Sequence, residues 1–84
     1  MFYTYILQST IDSSFYIGYS QNPQERLLKH NSSNKGYTAT RKPWVLVHIE
    51  QFSSKTQAIK REKELKRMKS KVYILKLIEE DKNG

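Results

Sequence analysis

The stretch Phe15-Tyr16-Ile17-Gly18-Tyr19, together with the earlier stretch Tyr3-Thr4-Tyr5-Ile6-Leu7, decides the fold. Both stretches are short and rich in aromatic and β-branched residues, and a turn-forming run at residues 9–14 separates them. This pattern predicts a hairpin of two strands at residues 2–8 and 14–20. Tyrosine has an apolar ring and a polar hydroxyl. The tyrosines of the hairpin therefore predict either a ligand surface or half-buried core residues with hydrated hydroxyl groups.

The composition is that of one small globular domain. The chain has 84 residues, of which 37% are hydrophobic and 27% charged, and a core of this size just supports independent folding. We expect a single domain at residues 1–82 and a frayed tail at 83–84. The 15 Lys and Arg residues against eight Asp and Glu give a net charge of +7. This excess predicts a polyanionic partner, most often nucleic acid, with an acidic protein or an anionic membrane surface as alternatives.

Several classes are excluded by what the sequence lacks. There are no cysteines, so a disulfide scaffold and a thiolate zinc site are excluded. The sequence shows no secretory signal pattern and no apolar run of membrane-spanning length. These features predict a cytoplasmic protein that does not associate with a membrane.

The sequence predicts that the first helix begins after Asn22. Asn22 is the N-cap, Pro23 is the proline of the first turn, and Glu25 completes a capping box. We expect this helix to run to about residue 31. Arg26 and His30 lie four residues apart and therefore on one face of it. The pair is either ordinary solvated surface or part of a site beside the tyrosine strand.

Residues 31–43 predict a long polar loop, and a loop of this length in a small domain is often functional. Lys35, Arg41 and Lys42 offer partners for phosphate groups, and Tyr37 offers a ring for stacking. The alternative is a mobile surface loop without a ligand.

A third strand is predicted at residues 44–52, and its apolar centre suggests the middle strand of the sheet. His48 in this strand is expected to be structural. Ser54 and Gln57 then form a second capping box, and the helix it opens is expected to end near residue 68 or 69.

Glu62 is the most informative acid in that helix. On a helical projection it falls between Ala58 and Ile59, within an apolar stripe that also includes Leu65 and Met68. A carboxylate that faces the protein is costly unless it is paired, protonated or bound to a metal. Glu62 is therefore a metal ligand, a partner of Arg26 or a lysine, or a residue at a hydrated edge of the stripe.

The last helix is expected at residues 71–81, with Ser70 as its N-cap. Val72, Tyr73, Leu75, Leu77 and Ile78 are expected to pack against the sheet or the preceding helix. From residue 55 onward there are ten Lys and Arg residues against five acids. This basic surface is either a solvated helix face or a track for nucleic acid.

Together, Tyr5, Tyr16, Arg26, His30 and Glu62 fit metal-assisted hydrolysis of a phosphodiester. A single carboxylate is able to hold one Mg²⁺ or Mn²⁺ ion that keeps most of its water ligands. A guanidinium offsets the charge that develops on the phosphate, and a tyrosine or histidine positions or deprotonates the attacking water.

The order Tyr5, Tyr16-Ile17-Gly18, Arg26 with His30, and then Glu62 resembles the GIY-YIG nuclease superfamily. It resembles most the small, single-domain, largely uncharacterised bacterial branch. The resemblance covers nearly the whole chain, including the loop pattern Tyr37-Thr38…Arg41…Pro43. It implies an α+β fold in which helices flank a three-stranded antiparallel sheet, in the order β-β-α-β-α-α.

The resemblance also implies a role for each matched residue. Tyr5 would hydrogen-bond the water or the phosphate, and Tyr16 would be the general base or would orient the water. Arg26 would stabilise the transferring phosphate, His30 would assist as proton carrier or phosphate contact, and Glu62 would bind the metal. Gly18 would allow the nucleic acid to approach closely.

The implied activity is that of a metal-dependent endonuclease, an enzyme of the phosphodiester hydrolase class, directed at DNA of particular structure or at lesions. The chain departs from the family at Tyr3-Thr4-Tyr5, where the first motif would read Gly-Ile-Tyr. Larger members of the family add an Asn downstream of the Glu and a separate DNA-binding domain, whereas here 22 residues follow Glu62 and the one Asn among them is Asn83. A partner protein would then supply specificity. The alternatives are a nucleic-acid-binding module with little or no activity and a domain that docks an acidic protein.

Overall fold

The computed structural model describes the backbone of residues 1–68 and 70–83, and their side chains except those of Tyr37 and residues 81–83. It confirms the α+β class and the order of the predicted elements. These elements are β1 (Phe2–Ser9), β2 (Phe15–Ser20), α1 (Pro23–Ser32), α2 (Tyr37–Thr40), β3 (Trp44–Phe52), α3 (Lys55–Met68) and α4 (Lys71–Asn83). Across the described ranges, no helix has the length and apolar character needed to cross a membrane.

The sheet is antiparallel, with the strand order β2-β1-β3. The expectation that the third strand lies in the middle is wrong, because β1 occupies that place. Residues 4–7 of β1 are fully buried, whereas Val45 and Ile49 of β3 are 44% and 43% exposed. A strand with hydrogen-bonded neighbours on both sides and helices over its faces is more deeply buried than the apolar strand that pairs only with it.

The two faces of the sheet have separate cores, because successive strand residues point to opposite sides. On one face, α3 and α4 cover a cluster made of Ile6, Ile17, Leu65, Ile74 and Ile78. On the other face, α1 contributes Leu27 to a cluster around Tyr5, Leu7 and Trp44. The predicted functional tyrosines belong to this second face.

Three helix starts predicted from the sequence are confirmed. In each, a side-chain oxygen accepts a hydrogen bond from the backbone N–H three residues later, which satisfies one of the free donors of the first turn. The pairs are Asn22 with Glu25, Ser54 with Gln57 and Ser70 with Tyr73, at 3.2, 3.2 and 3.1 Å.

Other boundaries differ from the prediction. The loop at residues 31–43 contains the short helix α2, and α4 continues to Asn83, within the expected tail, while Gly84 lies outside the described residues. Val72 and Leu75 are 70% and 51% exposed, and Met68 is 44% exposed, so their expected packing is wrong. The buried row of α4 is instead Ile74 and Ile78, because two residues four apart point together toward the sheet.

Polar contacts hold α3 against the sheet. The Thr4 hydroxyl donates to the Ala58 carbonyl at 2.7 Å. Arg61 pairs with Glu50 at 2.8 Å, and His48 contacts the second Glu50 oxygen at 2.7 Å. Burial tends to raise the pKa of Glu50, but the hydrogen bonds from His48 and Arg61 lower it to about 2. This network fixes the position of the helix that presents Glu62.

Candidate active site

Tyr5 lies across Gly18 of the neighbouring strand. The two residues are paired in register, so their side chains share one face of the sheet. Tyr5 is fully buried, and a Cβ atom at position 18 would lie only 2.7 Å from its hydroxyl oxygen and 2.9 Å from its Cζ. Glycine is therefore required here because the ring of Tyr5 occupies the space of a side chain.

The ring of Tyr16 lies at the centre of an aromatic cluster. Its centroid is 4.4 Å from that of His30, with the planes tilted by 58°. The ring of Tyr5 lies 6.5 Å away, and the ring of Trp44 lies 6.3 Å away in an edge-on arrangement. Contacts of this kind hold an aromatic ring in one orientation. The structure thus brings Tyr5, Tyr16 and His30 together.

Arg26 reaches the same cluster from α1 and remains exposed to solvent. The pKa of Arg26 is raised by the nearby Tyr5 hydroxyl, which acts as a hydrogen-bonding group and through its charge. The charges of Tyr16 and Tyr19 raise the pKa of Arg26 by smaller amounts. An exposed guanidinium beside buried phenols provides a fixed positive charge at the mouth of the cluster.

Two buried polar atoms of the cluster have no hydrogen-bond partner within the described part of the chain, namely the Tyr5 hydroxyl oxygen and His30 Nε2. Arg26 acts on the Tyr5 hydroxyl electrostatically, but it does not complete a hydrogen bond of ordinary geometry. An unpaired buried polar group costs about 1–3 kcal/mol. Native proteins tolerate that cost mainly where a ligand, an ion or water completes the site.

The protonation states of these groups follow from burial. Burial raises the pKa of Tyr5, Arg26 partly offsets this, and the charges of Tyr16 and Glu62 raise it further. Burial and the charge of Arg26 lower the pKa of His30. Near neutral pH the site therefore holds a phenol that keeps its proton and an imidazole without a charge.

Glu62 lies on α3 and acts on the cluster through its charge. Its side chain is only 15% exposed, and Lys66 contacts one carboxylate oxygen at 3.2 Å. The charge of Glu62 acts on the Tyr5 hydroxyl, so the two groups share one electrostatic environment. The pairing with a lysine is one of the alternatives that the sequence left open.

The residues around Glu62 suit a divalent cation that keeps most of its water ligands, rather than a metal surrounded by several protein side chains. Among the described residues, no group of three His, Asp or Glu side chains converges on one point. The largely buried Glu62 carboxylate is compatible with an ion such as Mg²⁺, which keeps several waters and takes its remaining ligand from a phosphate. Zinc, which prefers four protein ligands of the nitrogen or sulfur type, would not suit these residues.

The residues predicted to contact nucleic acid are distributed differently. Gly18 lies inside the cluster. Arg41 pairs with Asp12 at 3.1 Å, and the Lys42 ammonium donates to the Ser33 carbonyl at 2.9 Å. Lys35 is exposed. The side chain of Tyr37 lies outside the described residues. Arg41 thus ties the long loop to the turn between β1 and β2, whereas Lys42 joins two parts of the loop itself.

Sequence reasoning did not identify Trp44 and Asn31 as supports of the site. The Asn31 side chain accepts from the Trp44 backbone N–H at 2.6 Å and donates to the Trp44 carbonyl at 3.1 Å. The Trp44 indole donates to the Thr38 carbonyl at 2.9 Å. These contacts hold the tryptophan against Tyr16. The size of the indole at the start of a strand was the only sequence sign of this role.

Comparison with known proteins gives a consistent result. The family model described as the GIY-YIG catalytic domain matches residues 1–77. UPF0213 protein SH2523 of Staphylococcus haemolyticus is 46% identical over 79 residues, which cover 93% of this chain and 94% of the relative. A UPF0213 protein of Syntrophus aciditrophicus is 40% identical over 81 residues, which cover 94% and 91% of the two chains.

The fold is also similar to a solved structure. The solution NMR structure of UPF0213 protein BH0048 from Bacillus halodurans has a TM-score of 0.57 and 36% sequence identity. The similarity covers 94% of this chain and 84% of the other. The chain therefore spans most of the length of these relatives.

Proposed function

Because this chain belongs to the GIY-YIG catalytic-domain family, which is a family of nucleases, we propose that it is an endonuclease that hydrolyses phosphodiester bonds of nucleic acid with the help of one Mg²⁺ or Mn²⁺ ion. We propose DNA as the substrate, in branched, nicked or damaged form. The cytoplasm remains its predicted location. The observation that supports an enzyme most is the pair of unpartnered buried atoms on Tyr5 and His30 beside the ring of Tyr16.

The placement of the residues supports a role for each of them. Arg26 is exposed and positively charged, so it binds the scissile phosphate and offsets the charge that develops on it. The Tyr5 phenol keeps its proton and donates to a phosphate oxygen or to the attacking water. These two groups orient the substrate against the cluster.

Tyr16 and His30 handle the proton of the attacking water. Uncharged imidazole has one nitrogen able to accept a proton, and its lowered pKa keeps it in that form near neutral pH. Tyr16 contacts the imidazole through its ring and orients the water or accepts its proton. Aromatic packing against Trp44 keeps Tyr16 in place for this step.

Glu62 would hold the metal ion through its carboxylate, which is only 15% exposed. A divalent ion bound there would supply electrostatic stabilisation of a phosphate oxygen and would acidify a bound water. Glu62 and the Tyr5 hydroxyl interact electrostatically, which supports a common role for these two groups at one phosphate.

Cleavage of nicked, branched and single-stranded DNA with Mg²⁺ or Mn²⁺ tests the proposal. We expect the wild type to cleave at least one substrate and Glu62→Gln to lose cleavage. Glu80→Gln is the matched control, because it removes the same charge from an exposed position on α4. Absence of cleavage by the wild type, or equal cleavage by Glu62→Gln, would contradict the proposal.

One observation favours the second candidate, a nucleic-acid-binding module without catalysis. The Lys66 ammonium already pairs with the Glu62 carboxylate, so it takes the place that a metal ion would have. This alternative predicts salt-dependent binding of DNA that persists in Glu62→Gln and Tyr16→Phe, without cleavage by any form of the protein.

A further inference from the structure

The exposed cations of α3 lie on one side of the helix. We define the basic stripe as the five exposed basic residues of this helix, which are Lys55, Lys60, Lys63, Lys66 and Arg67. At about 100° per residue they fall within about 140° of the helix circumference. The remaining basic residue, Arg61, is half-buried and pairs with Glu50 and Glu64 outside the stripe. The charge of α3 is thus segregated.

The basic stripe borders the candidate active site. Glu62 lies about 20° from Lys55 on the same projection, at the edge of the stripe that turns toward the sheet. Lys66 belongs to the stripe and contacts the Glu62 carboxylate directly. A polyanion that follows the stripe therefore passes the carboxylate proposed to bind the metal.

The stripe has the character of a nucleic-acid surface rather than a protein interface. Protein interfaces are depleted of lysine and are centred on aromatic or large apolar residues. Four of the five stripe residues are lysines, and the apolar residue that projects among them, Ile59, is partly buried. The exposed apolar residue of this helix, Met68, projects to the opposite side. A row of flexible ammonium groups suits the phosphates of a backbone that is bound without reading its sequence.

We propose that one strand of the nucleic acid binds along the basic stripe and so reaches Glu62. This inference rests on the proposed function, and it assigns the path of the substrate to this face of the domain. The stripe extends from residue 55 to residue 67, which is about 18 Å of helix. At 3.4 Å per nucleotide of duplex this length matches about five phosphates of one strand. Five such contacts give a slope of log K against log salt of about −4.5 for a duplex.

The test is binding of a short fluorescein-labelled duplex, followed by fluorescence anisotropy as the salt concentration is varied. The double variant Lys55→Gln/Lys63→Gln should have a slope shallower by about 1.8, so that between about 50 and 200 mM salt it loses about 12-fold less affinity than the wild type. The matched control is Lys71→Gln/Lys76→Gln, which removes the same charge from exposed positions on α4. We expect the control to keep the wild-type slope.

An equal change of slope in both double variants would overturn the proposal, since net charge alone would then explain the binding. Failure of the wild type to bind the duplex at low salt would overturn it as well. Steady-state cleavage separates this inference from the proposed function. A higher KM with unchanged kcat in the stripe variant supports the track, whereas cleavage with an unchanged KM refutes the track and leaves the nuclease intact. Binding that follows the stripe without any cleavage supports the track and contradicts the nuclease.

Discussion

Replacement of Gly18 by alanine is the sharpest test of the site geometry. The added Cβ would lie 2.7 Å from the Tyr5 hydroxyl oxygen, 2.9 Å from Tyr5 Cζ and 3.2 Å from Tyr16 Cε1. Ordinary van der Waals contact begins near 3.4 Å, so the Tyr5 ring would have to withdraw by about 0.7 Å. The ring is fully buried, so its withdrawal would disturb the packing around it.

The magnitude follows from two opposing effects. Replacing glycine by alanine in a permitted backbone conformation stabilises a protein by about 0.4–1 kcal/mol, because it restricts the unfolded chain. Overpacking a well-filled interior typically costs about 1–3 kcal/mol. We expect Gly18→Ala to lower the free energy of unfolding by about 1–2 kcal/mol. For a domain of this size, that corresponds to a fall in Tm of roughly 5–15 °C.

Thermal unfolding followed by circular dichroism measures this effect, and the double variant Gly18→Ala/Tyr5→Phe is the control. The second substitution removes the oxygen atom at 2.7 Å but leaves Cζ in place, so it should recover part of the lost stability. Cleavage by Gly18→Ala should fall as well, because the phenol is displaced from the phosphate. A Tm equal to or above that of the wild type would refute the described contact between the two strands.

Three further outcomes are expected. Tyr5→Phe removes a buried hydroxyl that has no hydrogen-bond partner among the described residues. The free energy of unfolding should therefore stay constant or rise by about 1 kcal/mol, while cleavage should fall roughly 10²-fold. A clear loss of Tm would show that the hydroxyl is hydrogen-bonded in the folded protein. The pKa of Glu50 is lowered from 4.5 to about 2, so its contribution, at most about 3 kcal/mol, is present above pH 4.5 and is lost as the pH falls toward 2. Urea unfolding of Glu50→Gln across this range should show a weaker pH dependence than the wild type, and an unchanged dependence would contradict the assignment. Lys66→Gln should strengthen Mn²⁺ binding up to about fivefold in calorimetric titration, because a half-exposed ion pair worth at most about 1 kcal/mol no longer competes for Glu62. Unchanged or weaker binding would argue against Glu62 as the ligand.

Features that depend on residues close together in the chain were predictable from the sequence, whereas features that depend on distant residues were not. The helix starts at Asn22, Ser54 and Ser70 were predictable because an N-cap satisfies a donor only three residues away. The position of β1 at the centre of the sheet was not predictable from its own residues. The apolar content of β3 suggested a middle strand, but strand order depends on which edges remain free after the hairpin has formed.

The sequence alone determined the class of the fold, the hairpin, the helix starts and the residues that resemble a nuclease motif, since alternation, capping and motif order are all local in the chain. Only the tertiary structure decided how these residues meet. It placed the Tyr5 ring over Gly18, with no hydrogen-bond partner for its hydroxyl among the described residues, packed Trp44 against Tyr16, and paired Glu62 with Lys66. Each of these contacts, apart from the last, joins different elements, and burial of their polar atoms depends on helices packing over the sheet. The pairing of Glu62 was open as well, because helical spacing permits an ion pair with Lys66 but does not exclude Arg26 or another lysine as the partner.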